Sequence, residues 1–240
     1  MSTTFQLSNV YFSHGEQQIL ENISGEIVNQ TTTTFIGPSG AGKSTLFRIL
    51  NGLLSPDHGE ILFNHQRLAE FDPIELRKSI GIVLQEAIML PGTVFDNLAI
   101  TSQLHNHSFS MDDAEILLDL VDLDRQFLHK TAKDLSGGQK QKVSIARTLA
   151  NQPKVLLLDE ITASLDQISV KAIEQTIKKI KQKHQLTVLW ITHNIEQAVR
   201  VGEQTWVMVD GQVIEKIDSN QLDLSTNRVV QSFIRGETSK

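Results

Sequence analysis

The order of apolar and polar positions divides the chain into three stretches. In the first sixty residues Phe5, Leu7 and the segment from Ile19 to Ile27 form short apolar runs. Gly15, Gly25 and Gly59 punctuate them, and the pattern predicts β-strands. Thr31 to Ile36 is a β-branched run that stops at Gly37, and Ser44 to Leu50 follows with a helical pattern. Asp72-Pro73-Ile74-Glu75 has the order of a helix start, with Asp as N-cap, Pro at N1 and Glu at N3. Ile80 to Leu84 predicts another strand. From about Gly92 to Ala150 the period turns helical. Met111 to Val121 sets Ile116, Leu117, Leu120 and Val121 on one face. Ser136 with Gln139 three residues on predicts a capping box ahead of Val143, Ile145, Ala146 and Leu149.

Strand and helix then alternate again. Lys154 to Leu158 and Leu186 to Ile191 predict buried strands either side of a helix over Asp166 to Gln182. Asp210-Gly211 predicts a two-residue hairpin between Trp206–Val209 and Gln212–Ile217, and Asn220 to Ile234 predicts a closing helix. Such alternation implies an α/β fold with a mostly parallel sheet covered on both faces. No repeat of 20–50 residues is present, so solenoids and propellers are excluded.

Composition narrows the functional classes. The 240 residues contain no cysteine, which excludes disulfide scaffolds, cysteine-zinc sites, iron–sulfur clusters and a cysteine nucleophile. The formal charge of −6 argues against a protein whose main partner is nucleic acid. The longest apolar runs, such as Val155 to Leu158, fall far short of the roughly 20 residues of a membrane span. Met1-Ser2-Thr3-Thr4-Phe5 lacks a basic head and an apolar signal core, so the chain is expected in the cytoplasm. Any role at a membrane then requires a partner.

Gly37-Pro38-Ser39-Gly40-Ala41-Gly42-Lys43-Ser44 matches the phosphate-loop pattern G-x-x-x-x-G-K-[ST]. Glycines let the backbone turn its N–H groups onto a phosphate, and the following helix adds the positive end of its dipole. Lys43 supplies charge to the β- and γ-phosphates, and the Ser44 hydroxyl suits Mg²⁺. Val155-Leu156-Leu157-Leu158-Asp159-Glu160 delivers two acids at a strand's C-terminal end, where open α/β sheets bind ligands. Neighbouring strand residues point to opposite sides, so Asp159 is expected at the Mg²⁺ shell and Glu160 at an attacking water. A GTPase would read guanine with an N-K-x-D type motif, which is not found here. A small-molecule kinase remains open on these two motifs alone.

Leu135-Ser136-Gly137-Gly138-Gln139 decides between them. With the two motifs above, the chain resembles the nucleotide-binding subunit of ATP-binding cassette (ABC) transporters over essentially its whole length. The resemblance implies a P-loop NTPase fold, RecA-like, with an antiparallel β subdomain and an inserted helical subdomain. Residues 1–86 and 151–240 would form the core, and 87–150 the helical insert. It implies ATP and Mg²⁺ as cofactors, with Thr45 joining Gly37 to Ser44 at the nucleotide. Two subunits, identical or paralogous, would pair head to tail. Ser136, Gly137, Gly138 and Gln139 of one would meet the γ-phosphate held by the other.

By the same resemblance Gln85 touches Mg²⁺ or the attacking water, His193 contacts the γ-phosphate, and Asp166 belongs to the loop crossing the dimer interface. Two positions depart from the family. His14 stands where an aromatic ring usually stacks on adenine, with Tyr11 and Phe12 out of register. Ala163-Ser164 reverses the usual Ser-Ala order. A separate polytopic membrane subunit is implied, docking near Leu90-Pro91-Gly92-Thr93, with the chain peripheral on the cytoplasmic face of the membrane. Several segments look most like the branch assigned to bacterial iron or metal export. The alternatives are an importer subunit for another small solute, or a soluble relative in DNA repair or translation. The latter carry coiled coils, zinc-binding cysteines or tandem cassettes that this sequence lacks. His105-Asn106-His107 reads as a polar loop, and Lys178, Lys179, Lys181 and Lys183 as a solvated helix face.

Overall fold

The computed structural model describes residues 2–104 and 107–235. The chain starts with a hairpin, β1 (Thr3–His14) and β2 (Gln17–Val28), then β3 (Thr32–Ile36) and α1 (Lys43–Leu50). β4 (His58–Phe63), β5 (Gln66–Arg67), α2 (Pro73–Ser79) and β6 (Ile80–Val83) follow. Three helices come next: α3 (Val94–Leu104), α4 (Met111–Leu120) and α5 (Gly137–Leu149). β7 (Val155–Asp159), α6 (Gln167–His184), β8 (Thr187–Ile191) and α7 (Ile195–Val201) return to strand–helix alternation. β9 (Gln204–Val209), β10 (Gln212–Asp218) and α8 (Arg228–Ile234) complete the order.

Two sheets result. One is antiparallel, in the order β2-β1-β4-β5. The other has six strands in the order β10-β9-β3-β8-β7-β6, parallel except for the β9–β10 hairpin at its edge. A hydrophobic cluster fills the space between them. Phe5, Val10, Ile23 and Phe63 of the antiparallel sheet meet Leu46, Phe47 and Leu50 of α1 and Phe35, Leu157 and Leu189 of the parallel sheet. Alternate residues of β7 and β8, namely Leu156, Leu158, Val188 and Trp190, face a second cluster built with α3 to α6. This two-sided burial explains why Val155 to Leu158 is apolar without interruption. A smaller cluster joins Ile36 and Val207 to α7 and α8.

Local signals that the sequence announces are present. Asp72 accepts from the N–H groups of Ile74 and Glu75. Asp210 and Gly211 both take positive φ, as a type I′ turn requires. Thr93 and Asp96 bond each other's backbone N–H, capping α3 after the Pro91-Gly92 turn.

Other expectations are corrected. Gly25 does not interrupt a strand but lies inside β2, with φ +151°. A Cβ there would stand 2.7 Å from the Trp206 ring, so the glycine permits close approach of the two sheets. In α4 the buried face is Ala114, Leu117, Leu118 and Val121, and Ile116 is 59% exposed. Packing against α5 selects that stripe, one position round from the predicted one. The closing helix is broken. A 3-10 turn over Ser219–Leu224 ends at Ser225, whose hydroxyl bonds Glu215 and accepts from the Asn227 N–H. Asn227 then caps α8. The basic run on α6 is partly neutralised, with Lys179 on Asp122 at 3.0 Å and Lys181 on Glu203 at 2.6 Å. His105 and Asn106 lie outside the described residues. Among those described, no helix is long and apolar enough to cross a membrane.

Phe47 is fully buried between the sheets and meets Phe35 edge-on at 5.4 Å. Phe47→Ala is expected to cost about 3–5 kcal/mol, read by urea denaturation.

Candidate functional site

β3 stops at Ile36, and residues 37–42 carry the chain to the first turn of α1. Gly37, Gly40 and Gly42 adopt φ of +142°, +82° and +88°, where L side chains are strained. Space excludes a Cβ at two of them. At Gly37 it would lie 1.9 Å from the Met208 carbonyl oxygen. At Gly42 it would lie 2.6 Å from the Leu20 side chain and 2.8 Å from the Ile19 carbonyl oxygen. The loop is therefore pressed between β9 and the start of β2, and both sheets fix its shape.

Lys43 is 5% exposed, and its ammonium donates to the carbonyl oxygens of Gly37 and Pro38, both at 2.8 Å. Burial lowers its pKa, while the charges of Glu160 and Asp159 pull it back up. The Ser44 hydroxyl donates to Asp159 Oδ1 at 2.9 Å. Burial pushes the Asp159 carboxyl above its usual range, against the bond from Ser44. A buried ammonium and a buried carboxylate thus stand together, each short of solvation. A polyphosphate relieves the first and a divalent cation the second.

Glu160 follows β7 with φ +52°. Its Oε1 lies 2.5 Å from Nε2 of His193, just past the end of β8. The adjacent strands β7 and β8 therefore bring Glu160 and His193 together. Gln85 is exposed, two residues beyond β6, whose Val83 is paired with Leu158. The loop that carries it is tied to the helical segment. Gln141 donates to the Leu84 carbonyl, Arg147 to that of Ile88, and Asn97 bonds Leu90 twice. His14 is exposed at the β1–β2 turn, paired with Gln17, on the hairpin whose Ile19 and Leu20 press on Gly42. Tyr11 pairs instead with His58 of β4.

Ser136 is the N-cap of α5, in a capping box with Gln139. Its hydroxyl is exposed, and Gly137 and Gly138 open the helix. A Cβ on Gly138 would meet Ser169 Oγ at 2.9 Å, so α5 starts against the start of α6. Asp166 caps α6 and accepts from the N–H groups of Ile168 and Ser169, each at 3.0 Å. Ser136 to Gln139 and Asp166 thus share one surface. Among the described residues, neither Ser136 nor Asp166 is hydrogen-bonded to the phosphate loop.

A cavity of about 780 Å³ opens beside Glu160 and His193, lined also by Ala163, Leu165, Lys171 and Glu196. A larger one, about 920 Å³, lies at the opposite ends of the strands beside Lys154 and Thr187, away from these groups. Sequence reasoning missed the loop anchors Asn97, Gln141 and Arg147 and the buried Thr162, Thr192 and Gln197. A polar residue on a helix face carries no mark of burial.

The protein-family model described as ABC transporter matches residues 20–163. The chain belongs to the ABC transporter family. The putative ABC transporter ATP-binding protein YjkB of Bacillus subtilis (strain 168) is 38% identical over 221 residues, 92% of this chain and 88% of the relative. Among solved structures, cbiO1 from Clostridium perfringens, part of the ABC transporter complex cbiONQ, matches with a TM-score of 0.85 and 27% identity. That match covers 98% of this chain and 96% of the other. The ATP-binding cassette MJ0796, in a dimeric post-hydrolysis state bound to ADP and Pi, matches with TM-score 0.78 and 31% identity over 90% and 98% of the two chains.

As an ABC ATPase the chain is an ATP-hydrolysing subunit of an ABC transporter that uses ATP and Mg²⁺. Its residues fit that ligand. The glycine cradle has no room for Cβ atoms at Gly37 and Gly42, and Lys43 sits inside it. Ser44 with one carboxylate, Asp159, suits Mg²⁺, which is typically held by few protein oxygens plus substrate phosphates.

Gly37→Ala is expected to cost at least about 2 kcal/mol in urea denaturation and to abolish ATP binding, because backbone must move. Gly40→Ala meets no atom within 4 Å. It is expected to cost only the about 1–2 kcal/mol of its left-handed backbone.

Proposed function

We propose that two copies of this chain pair head to tail around two MgATP and drive a separate membrane subunit. The observation that carries this reading is the helix start at Ser136. It offers an exposed hydroxyl, two glycines and a dipole end suited to an anion, on a surface shared with Asp166 and not bonded to the chain's own phosphate loop. A second copy supplies the missing half. Ser136 to Gln139 of one chain would close on the phosphate held by Gly37 to Thr45 of the other. The dimeric state of the MJ0796 cassette supports the arrangement.

In each composite site Lys43 binds the β- and γ-phosphates, and Ser44, Asp159 and Gln85 face Mg²⁺. Glu160 orients the attacking water and takes its proton, and His193 holds Glu160 and reaches the γ-phosphate. Asp166 lies at the seam, and His14 lies beside the adenine. Residues 87–150 act as the segment that relays movement from the Gln85 loop. Leu84, Ile88 and Leu90 are exposed on that loop and give the membrane subunit an apolar seat. The chain then works from the cytoplasmic face of the membrane. Metal export, iron included, is the cargo reading that the sequence favours. Import of another small solute uses the same ATPase and differs in the membrane subunit.

Glu160→Gln removes the base and keeps the shape. Its steady-state hydrolysis is expected to fall by about a hundredfold or more, and the variant to run as a dimer in light scattering at saturating MgATP. A monomer under those conditions contradicts the pairing.

A further inference from the structure

We propose that Gln197 is a positioning residue for hydrolysis, whose carboxamide ties the loop after β7 to the loop after β8 and so sets the contact between Glu160 and His193. The proposal rests on the reading of that pair as the hydrolytic machinery. Gln197 lies on α7 and is 2% exposed. Its Oε1 accepts two hydroxyls, from Thr192 at 2.7 Å and from Thr162 at 3.2 Å. Thr192 immediately precedes His193, and Thr162 is two residues past Glu160. One amide oxygen therefore holds both loops.

The other end of the amide is fixed as firmly. Nε2 donates to Glu174 Oε1 at 2.7 Å, and Arg200 grips the same carboxylate with two bonds of 2.8 Å. Burial raises the pKa of Glu174, but the bonds from Arg200 and Gln197 and the charges of Arg200 and Lys171 outweigh it, so the net shift is downward. An ionised carboxylate only accepts, so the amide nitrogen must face Glu174 and the oxygen must face the threonines. The backbone of Gln197 is also set, its N–H bonded to Asn194 Oδ1 at 2.8 Å. Asn194 in turn donates its N–H to Thr192 Oγ1 at 3.0 Å.

Glu160 needs such support. Its φ of +52° is sparsely populated by residues other than glycine and persists where the surroundings over-determine it. The 2.5 Å contact with His193 joins two separate loops. Among the described residues, Gln197 is the side chain seen to bond the neighbours of both partners. A glutamine suits the place and a glutamate does not. A carboxylate there would face the Glu174 carboxylate and lose the donated bond. Protonated, it would again donate to Glu174 and accept from the threonines.

The test compares the 240-residue chain with Gln197→Glu, Gln197→Leu and Glu160→Gln, measuring ATPase kcat, KM and the pH profile. Both Gln197 variants are expected to lose about tenfold or more in kcat at pH 8, with KM for ATP within about twofold. The ratio of Gln197→Glu to wild-type activity is expected to rise as pH falls from 8.5 to 6 (about tenfold per 1.4 kcal/mol regained). The introduced carboxyl would face Glu174 and Lys171 of α6, Arg200 and Glu196 of α7, and Glu160 and His193 on the loops. Those groups are common to both proteins and cancel in the ratio. A residue that merely stabilised the fold would change the folded fraction, read by circular dichroism at each pH, and leave kcat per folded chain within about twofold of wild type; that result overturns the proposal. If Glu160→Gln keeps full hydrolysis, the reading of the pair fails, and the clamp falls with it. If Glu160→Gln is inactive and the Gln197 variants match wild type, the clamp alone is wrong.

Discussion

The buried ammonium of Lys43 is the constraint around which this molecule is arranged. It sits 5% exposed inside a loop that has no room for a Cβ at Gly37 or Gly42, bonded to two carbonyl oxygens of that loop. Its nearest compensating charges, Asp159 and Glu160, come from the end of β7, more than a hundred residues away in the chain. Partial dehydration keeps these charges strongly coupled and ready for phosphate and a cation. Everything beneath the loop serves this placement. α1 is locked between the two sheets by Phe47, Leu46 and Leu50, and the backbone of Met208 leaves no slack at Gly37.

On the head-to-tail reading, the single chain holds only part of each hydrolytic site. Lys43, Ser44, Asp159, Glu160 and His193 gather beyond the C-terminal ends of β3, β7 and β8, where open α/β sheets bind ligands. The helix start at Ser136, equally suited to an anion, packs instead on the start of α6, where Gly138 leaves room only for Ser169. Loop 84–90 is bonded to α5 through Gln141 and Arg147. Movement of the helix that bears Ser136 is therefore shared with the loop that bears Gln85. This is a mechanical reason why closing a site between copies would be felt at the exposed Leu84, Ile88 and Leu90.

Much of this was legible in the sequence because the physics is local. A β-branched run, a glycine loop and a helix follow one another between residues 31 and 50, and each is written in adjacent residues. The same holds for the Asp210-Gly211 turn and for the capping box of Ser136 and Gln139. What was not legible depends on packing partners. The face of α4 turned from Ile116 toward Ala114 and Leu118 because α5 lies there. The closing helix broke where Ser225 bonds Glu215 on β10, ten residues back, a contact that no periodicity announces. Gln197 looked like an ordinary polar helix position, and only the tertiary fold brings Thr162, Thr192 and Glu174 around it.

The most direct measurement is complementation in trans. Ser136→Arg spoils the half-site that a chain gives to its partner, and Lys43→Ala spoils the half-site it keeps. Each variant alone is expected to be inactive, since every composite site of its dimer is broken. Mixed one to one, half of the dimers would be mixed, and each would hold one intact site, so hydrolysis should recover to about a quarter of the wild-type rate. Recovery of that order is what head-to-tail sharing predicts. A mixture as inactive as its components would contradict it.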